Sequence, residues 1–210
     1  MIKIVNANKS IKKQHILKDV SLDVEKGSIC GIVGNNGSGK TVLFKCILGI
    51  YLFDSGEMWI RGVKRQKKDG ILTGTSAIIE HPAFLENHTG LQNLRYLYEL
   101  NNKKNIPYLK EVLEKVGLDP DIRKKVKNYS LGMKQRLAIA QVIMEDNDVI
   151  ILDEPMNGLD KNGIQEIRQI FIDLKRSGKT ILLASHNEED IACLCDKVYE
   201  MDAGILRLKK

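Results

Sequence analysis

The feature that most constrains this chain is the run Gly34-Asn35-Asn36-Gly37-Ser38-Gly39-Lys40-Thr41. It follows the apolar pentad Ile29 to Val33 and runs into Lys40 to Leu48, a segment that reads as a helix ended near Gly49. Strand, glycine-rich loop and helix in this order are the setting in which such a run binds phosphate. Glycines let successive backbone N–H groups turn inward onto phosphate oxygens, and the helix adds its positive dipole end. All eight residues are expected to line a nucleotide's phosphates, with Lys40 at the β- and γ-phosphates and the Thr41 hydroxyl on Mg²⁺. A plain glycine-rich turn is the alternative, and the strand–helix setting weighs against it.

Strands and helices alternate around this loop. Val149 to Leu152 and Thr180 to Ala184 are β-favouring apolar runs, suited to strands buried on both faces. Between them Ile164, Ile167, Ile170, Phe171 and Leu174 recur at helical spacing, with Gly178 as the stop. Asp54-Ser55-Gly56 reads as a turn before a strand at Glu57 to Ile60. Residues 89–146 read mostly as helix. Thr89 with Gln92 has capping-box spacing, Pro107 suits a first turn and Gly117 a C′ position. Asp119-Pro120 reads as a further helix start. Ser130 precedes a helix whose apolar face includes Leu137, Ala140 and Ile143. The expected layout is one domain: an α/β core at about 1–79 and 147–210, interrupted by a mostly helical insert at about 80–146.

Two acids, Asp153 and Glu154, end the run from Val149, at the strand end where α/β sheets bind ligands. Asp153 suits the Mg²⁺ shell, and Glu154 can polarise an attacking water. Taken alone, an acidic strand end is common; paired with the glycine-rich loop it points to nucleotide hydrolysis.

Composition narrows the partners less. The 210 residues, 43% hydrophobic and 29% charged, describe one globular domain. The net charge of +6 permits nucleic acid, an anionic membrane face or a phosphate ligand without choosing. No apolar run approaches the roughly 20 residues of a spanning helix, and the first residues lack a secretory h-region. Cys30, Cys46, Cys193 and Cys195 lack a zinc spacing and read as reduced thiols. His15, His81 and His88 show no ligand spacing, so no metal role is assigned to them. The basic stretch Arg61, Lys64, Arg65, Lys67 and Lys68 has no interleaved aromatics and reads as a solvated loop, so no nucleic-acid partner is expected.

With these residues in order, the chain resembles an ABC-transporter nucleotide-binding subunit from end to end. Gly34 to Thr41 resembles the Walker A motif and Ile150 to Glu154 Walker B. Tyr129-Ser130-Leu131-Gly132-Met133 occupies the signature position, Asn157-Gly158-Leu159-Asp160 resembles the D-loop, and Ser185-His186 the switch histidine. The resemblance implies an α/β, phosphate-loop NTPase core of ABC type with an antiparallel β-subdomain and a helical subdomain insert. It implies Mg-ATP hydrolysis in a head-to-tail dimer. Each ATP would sit between one subunit's loop and the other's Ser130, Leu131, Gly132, Met133 and Asp160. His186 would hydrogen-bond the γ-phosphate and the attacking water. The second subunit is expected to be another copy of the chain. The helical insert would dock on separate transmembrane permease subunits, which places the chain on the cytoplasmic face of the cell membrane.

Three departures from the common pattern stand out. The aromatic that usually stacks on adenine aligns near Ile11, which offers apolar contact without a ring. Leu131 and Met133 replace glycine and glutamine in the signature. Glu80 stands where the Q-loop glutamine is usual, and it is assigned a catalytic and Mg²⁺-binding role. Ile79-Glu80-His81-Pro82, together with Ser130-Leu131-Gly132-Met133-Lys134-Gln135-Arg136, resembles the bacitracin-resistance and lantibiotic-immunity branch, which implies export of a peptide antibiotic, bacteriocin or similar amphiphile. The rival is a non-transport ABC ATPase of repair, translation or regulation. Repair types carry long coiled coils between the Walker motifs and translation types usually two cassettes; this chain shows neither.

Overall fold

The computed structural model describes residues 1–80 and 82–210, leaving the Lys67 side chain aside. His81, given no metal role above, therefore lies outside the described residues. Two sheets and a set of helices form the layers. The larger sheet has six strands in the order β10 (Ile205–Leu208), β9 (Lys197–Asp202), β3 (Ile29–Val33), β8 (Thr180–Ala184), β7 (Val149–Asp153) and β6 (Thr75–Ile78). Its pairs are parallel except the β9–β10 hairpin.

The period of two explains why β7 from Val149 to Leu152 and β8 from Ile181 to Ala184 are apolar at every position. Val149, Ile151, Leu182 and Ala184 face one core, while Ile150, Leu152, Ile181 and Leu183 face the other. The first core lies between this sheet and a four-stranded antiparallel sheet of order β2 (Gln14–Val24), β1 (Ile2–Ile11), β4 (Ser55–Ile60) and β5 (Val63–Lys64). Helix α1 (Lys40–Ile47) fills that space with Leu43, Phe44 and Ile47, all fully buried. Truncating Phe44 to alanine there would cost about 3–5 kcal/mol. The opposite face carries α2 (Gly90–Tyr98), α3 (Ile106–Lys115), α4 (Leu131–Ile143), α5 (Lys161–Arg176) and α6 (Glu188–Leu194). The four cysteines are free, and burial pushes the thiols of Cys30, Cys46 and Cys195 up to about 12, which makes them inert packing groups.

Local signals set the helix ends. Thr89 and Gln92 form the reciprocal capping box of α2, and Asn105 caps α3 with Pro107 in its first turn. Two expectations are corrected. Asp119-Pro120 starts no helix; the Asp119 side chain accepts the Asp121 N–H at 2.9 Å, and the turn is not propagated. Beyond it Ile122, Val126 and Tyr129 pack on the core, but Arg123, Lys124 and Lys125 between them are exposed, and the segment closes only a single 3-10 turn at Val126–Asn128. Ser55 and Gly56 belong to β4 rather than to a turn. Gly56 has φ 94°, and a Cβ there would collide with the Ala7 backbone of β1, so glycine allows the two strands to approach. Among the described residues no helix is long and apolar enough to cross a membrane.

Candidate functional site

The loop after β3 is held from behind. Gly34 has φ 151°, and any Cβ would collide with the Met201 carbonyl of β9. The Ser38 carbonyl accepts the Gly204 N–H at 2.9 Å, which ties the loop to the β9–β10 turn. Within the loop, Ser38 N–H donates to Asn35 O at 3.1 Å. Lys40 opens α1 and is buried, and its ammonium donates to the carbonyls of Gly34 at 2.6 Å and Asn35 at 3.1 Å. The lysine thus spans the loop from inside. On the outer side, no heavy atom lies within 4 Å of the place a Gly37 Cβ would take, so the cradle is open there.

The parallel sheet brings the acids to the same end. Thr41 Oγ1 donates to Asp153 Oδ2 at 2.6 Å across 112 positions of sequence. Burial pushes the Asp153 carboxyl above the ordinary carboxylate range, and the Thr41 hydroxyl partly offsets that. Glu154 leaves the strand with φ 52°, and its N–H donates to Ala184 O of β8 at 2.9 Å. A positive φ at a non-glycine residue is strained, and the neighbouring strand holds it in place. Its Oε2 lies 2.8 Å from His186 Nδ1. Its Oε1 is buried without a partner, as is Ser38 Oγ, which leaves hydrogen-bonding capacity for a ligand or water. Glu80 also has positive φ, 58°, and pairs with Lys45 of α1 at 2.6 Å. That pairing raises the Lys45 ammonium pKa.

The donors fit Mg²⁺. The Thr41 hydroxyl and the Asp153 carboxylate are hard oxygen ligands, and Glu80 stands nearby as a further carboxylate. Among the described residues no group of three or more His, Cys, Asp or Glu could hold a metal by itself. Mg²⁺ is the ion that takes one or two protein oxygens and completes its shell with phosphates and water.

The signature residues stand apart from this cluster. Ser130 caps α4, its Oγ accepting the Met133 N–H at 3.2 Å. Leu131 is 64% exposed and packs over Gly158, while Gly132 also approaches the Gly158 carbonyl. Asp160 caps α5 by accepting the Gly163 N–H at 2.8 Å. Among the described residues, no hydrogen bond or ion pair joins Ser130, Leu131, Gly132, Met133 or Asp160 to the phosphate loop. Ile11 ends β1, half-buried, before the tight turn at Lys12 and Lys13.

Ile16 and Lys45 belong to none of the motifs read from the sequence, and Gln135 entered only as part of the run from Ser130 to Arg136. Ile16 of β2 lies against Gly39, at the start of α1. Lys45 holds Glu80. Gln135 Nε2 donates to Pro155 O at 2.7 Å, which ties α4 to the segment after Glu154. Lys45 has a readable signal, since it lies one turn beyond Thr41 on α1; the other contacts join distant segments. In the basic stretch, Arg61 donates to Thr73 and Gly74, Lys64 pairs with Glu57, and Arg65 pairs with Asp69, so these three cations have intramolecular partners.

A phosphate loop, a Thr–Asp pair, a Glu–His pair and a separate capped signature helix together define a nucleotide-hydrolysing cassette. Residues 17–157 match the family described as ABC transporter, and the chain belongs to that family. It is 37% identical over 206 residues, 98% of this chain and 94% of the relative, to the uncharacterized ABC transporter ATP-binding protein YybJ of Bacillus subtilis. The lantibiotic transport ATP-binding protein SrtF of Streptococcus pyogenes is 35% identical over 210 residues, covering 100% of this chain and 90% of its own. The bacitracin transport ATP-binding protein BcrA of Bacillus licheniformis is 38% identical over 211 residues, 98% of this chain and 68% of its own. In fold the chain is similar to the ATP-binding cassette MJ0796, solved as a dimer in a post-hydrolysis state bound to ADP and Pi. The TM-score is 0.89 at 22% identity, covering 100% of this chain and 98% of that one. The chain is an ATP-binding subunit of ABC transporter type and an ATPase.

Proposed function

We propose that the chain hydrolyses Mg-ATP in a nucleotide-sandwiched dimer of two copies and powers export of a peptide antibiotic, bacteriocin or similar amphiphile through separate membrane subunits. The observation that carries the chemistry is the convergence of Thr41, Asp153, Glu154 and His186 beside the loop, from two strand ends and a helix. Gly34 to Lys40 bind and orient the phosphates. Thr41 and Asp153, with Glu80 beside them, would hold Mg²⁺, which when bound neutralises phosphate charge and polarises the γ-phosphoryl group. Glu154 takes a proton from a water as the water oxygen attacks γ-phosphorus; the bond to the bridging oxygen breaks, giving ADP and phosphate. His186 orients Glu154 and donates toward the γ-phosphate.

The dimer is supported by the exposed signature, whose capped helix end makes, among the described residues, no hydrogen bond or ion pair to its own phosphate loop. A second copy would bring Ser130, Leu131, Gly132, Met133 and Asp160 to that nucleotide. The export reading is supported by the transport of lantibiotic and bacitracin named for the relatives, together with Glu80. Ile11, with Ile16 beside the loop, would give the base an aliphatic contact. Membrane subunits would hold the chain at the cytoplasmic face.

Glu154→Gln tests the chemistry, because an amide cannot accept the proton. Turnover should fall about 10²- to 10⁴-fold, the contribution usual for a positioned base, while ATP still binds. Retained turnover would remove Glu154 from the mechanism.

A further inference from the structure

Beside the Glu154–His186 contact lies a buried ion pair that the reaction as described does not use. Asp190 of α6 is 1% exposed. Its Oδ1 accepts from Arg168 Nε at 2.8 Å and Nη2 at 2.6 Å, and Arg168 Nη1 also meets Glu189 at 3.2 Å. Arg168 stands on α5, whose neighbouring Ile167, Ile170 and Phe171 are locked in the core. The second oxygen of Asp190 accepts from the buried Ser185 hydroxyl at 3.3 Å. That hydroxyl in turn accepts the Asn187 N–H at 3.1 Å, and the Asn187 side chain accepts the N–H groups of Glu189 and Asp190.

Both residues flanking His186 are therefore tied down, and both ties lead to Asp190. The His186 side chain itself is 63% exposed, and Glu154 is its one side-chain partner among the described residues. A buried ion pair is weak evidence of stability, since well-packed apolar residues often serve as well. What the pair adds is a fixed geometry for the loop between β8 and α6.

We propose that Arg168 and Asp190, acting through Ser185, are positioning residues for His186: they set the backbone from which the imidazole meets Glu154. This rests on the reading of Glu154 and His186 as the hydrolytic pair. Positioning residues should act on turnover more than on nucleotide binding.

The test is a cycle of variants in the full chain, with the membrane subunits where turnover requires them. Asp190→Asn keeps the shape and loses the charge; Arg168→Lys keeps the charge and loses the fork. Each should lower kcat about 10-fold and leave the Kd for a fluorescent ATP analogue within about 3-fold. In a His186→Ala background, Asp190→Asn should cost nothing further in single-turnover hydrolysis. The ring ¹⁵N resonances of His186 should move in Asp190→Asn toward those of an exposed imidazole. Should Asp190→Asn fail to fold, Ser185→Ala removes the link alone and should lower kcat about 3-fold with the same loss of effect in His186→Ala. Equal losses in both backgrounds, or unmoved His186 resonances with full turnover, would overturn the positioning role. Wild-type turnover in His186→Ala would instead remove the reading of His186, and the positioning role with it.

Discussion

The phosphate-loop end and the signature end are built from similar residues and treated oppositely by the fold. At the loop, Lys40 and Asp153 are buried and satisfied internally, by loop carbonyls and by Thr41. At the signature, Ser130 and Asp160 are exposed helix caps, and Leu131 shows most of its surface to solvent. Hydroxyls and carboxylates serve at both ends, but only one end converges on a place a nucleotide can occupy. A helix end already capped, with Leu131 exposed beside it, is the surface the proposed second copy would meet.

The largest effects should come from breaking each end separately. Lys40→Ala removes the charge that spans the loop, and ATP affinity should fall at least 100-fold in equilibrium binding. Ser130→Arg should leave affinity within about 3-fold while lowering ATPase activity on the order of 100-fold, because the bulk blocks closure onto a partner's nucleotide. Equal ATPase activity in Ser130→Arg and wild type would erase the distinction between the two ends.

Glu80 sits between these cases, with an exposed side chain held by Lys45. An ionised glutamate only accepts hydrogen bonds, where glutamine also donates. Glu80→Ala should leave ATP affinity nearly unchanged, reduce stimulated hydrolysis several-fold and impair cellular resistance more than hydrolysis; Glu80→Gln should be milder. ATP affinity, ATPase rate and resistance measured on both variants, with the membrane subunits present, decide this. Wild-type behaviour of Glu80→Ala in all three would make it a surface acid.

The smallest effect is on stability and concerns Asp153. Its pKa is raised in the folded chain, so the folded state holds the proton more tightly than the unfolded one. Its contribution is therefore most favourable below the ordinary aspartate pKa near 3.9 and is lost as pH rises through the raised value. Asp153→Asn should raise the Tm of the nucleotide-free chain by a few degrees at neutral pH, with no gain at acid pH, while abolishing Mg²⁺-dependent turnover. A lower Tm across the range would mean the Thr41 bond outweighs the burial.

The sequence made the nucleotide core legible because its signals are local. The glycine run, the apolar runs at Val149 and Thr180, the Thr89 capping box, Pro107 and the Ser130 cap all act within a few residues. Strand β1 was not legible in its own residues. Register shifts after Ile4 and Ala7 break its alternation, so Asn6 to Ser10 looks like a polar loop. The Asp119-Pro120 start misled for the converse reason: the local Asp119 turn is real, but the chain after it reaches the core through Ile122 and Val126 with only a 3-10 turn. Lys45 with Glu80, and Arg168 with Asp190, were invisible because each pair is joined only by the fold.

The claim that a second chain completes the site is tested most directly by the solution mass of Glu154→Gln with Mg-ATP, measured by light scattering after size exclusion. The chain alone should run at 23.7 kDa without nucleotide and at twice that mass with Mg-ATP. Adding Ser130→Arg should return it to the single-chain mass with one ATP still bound per chain. A mass that ignores nucleotide, or a doubled mass that survives Ser130→Arg, would contradict a site shared between two copies.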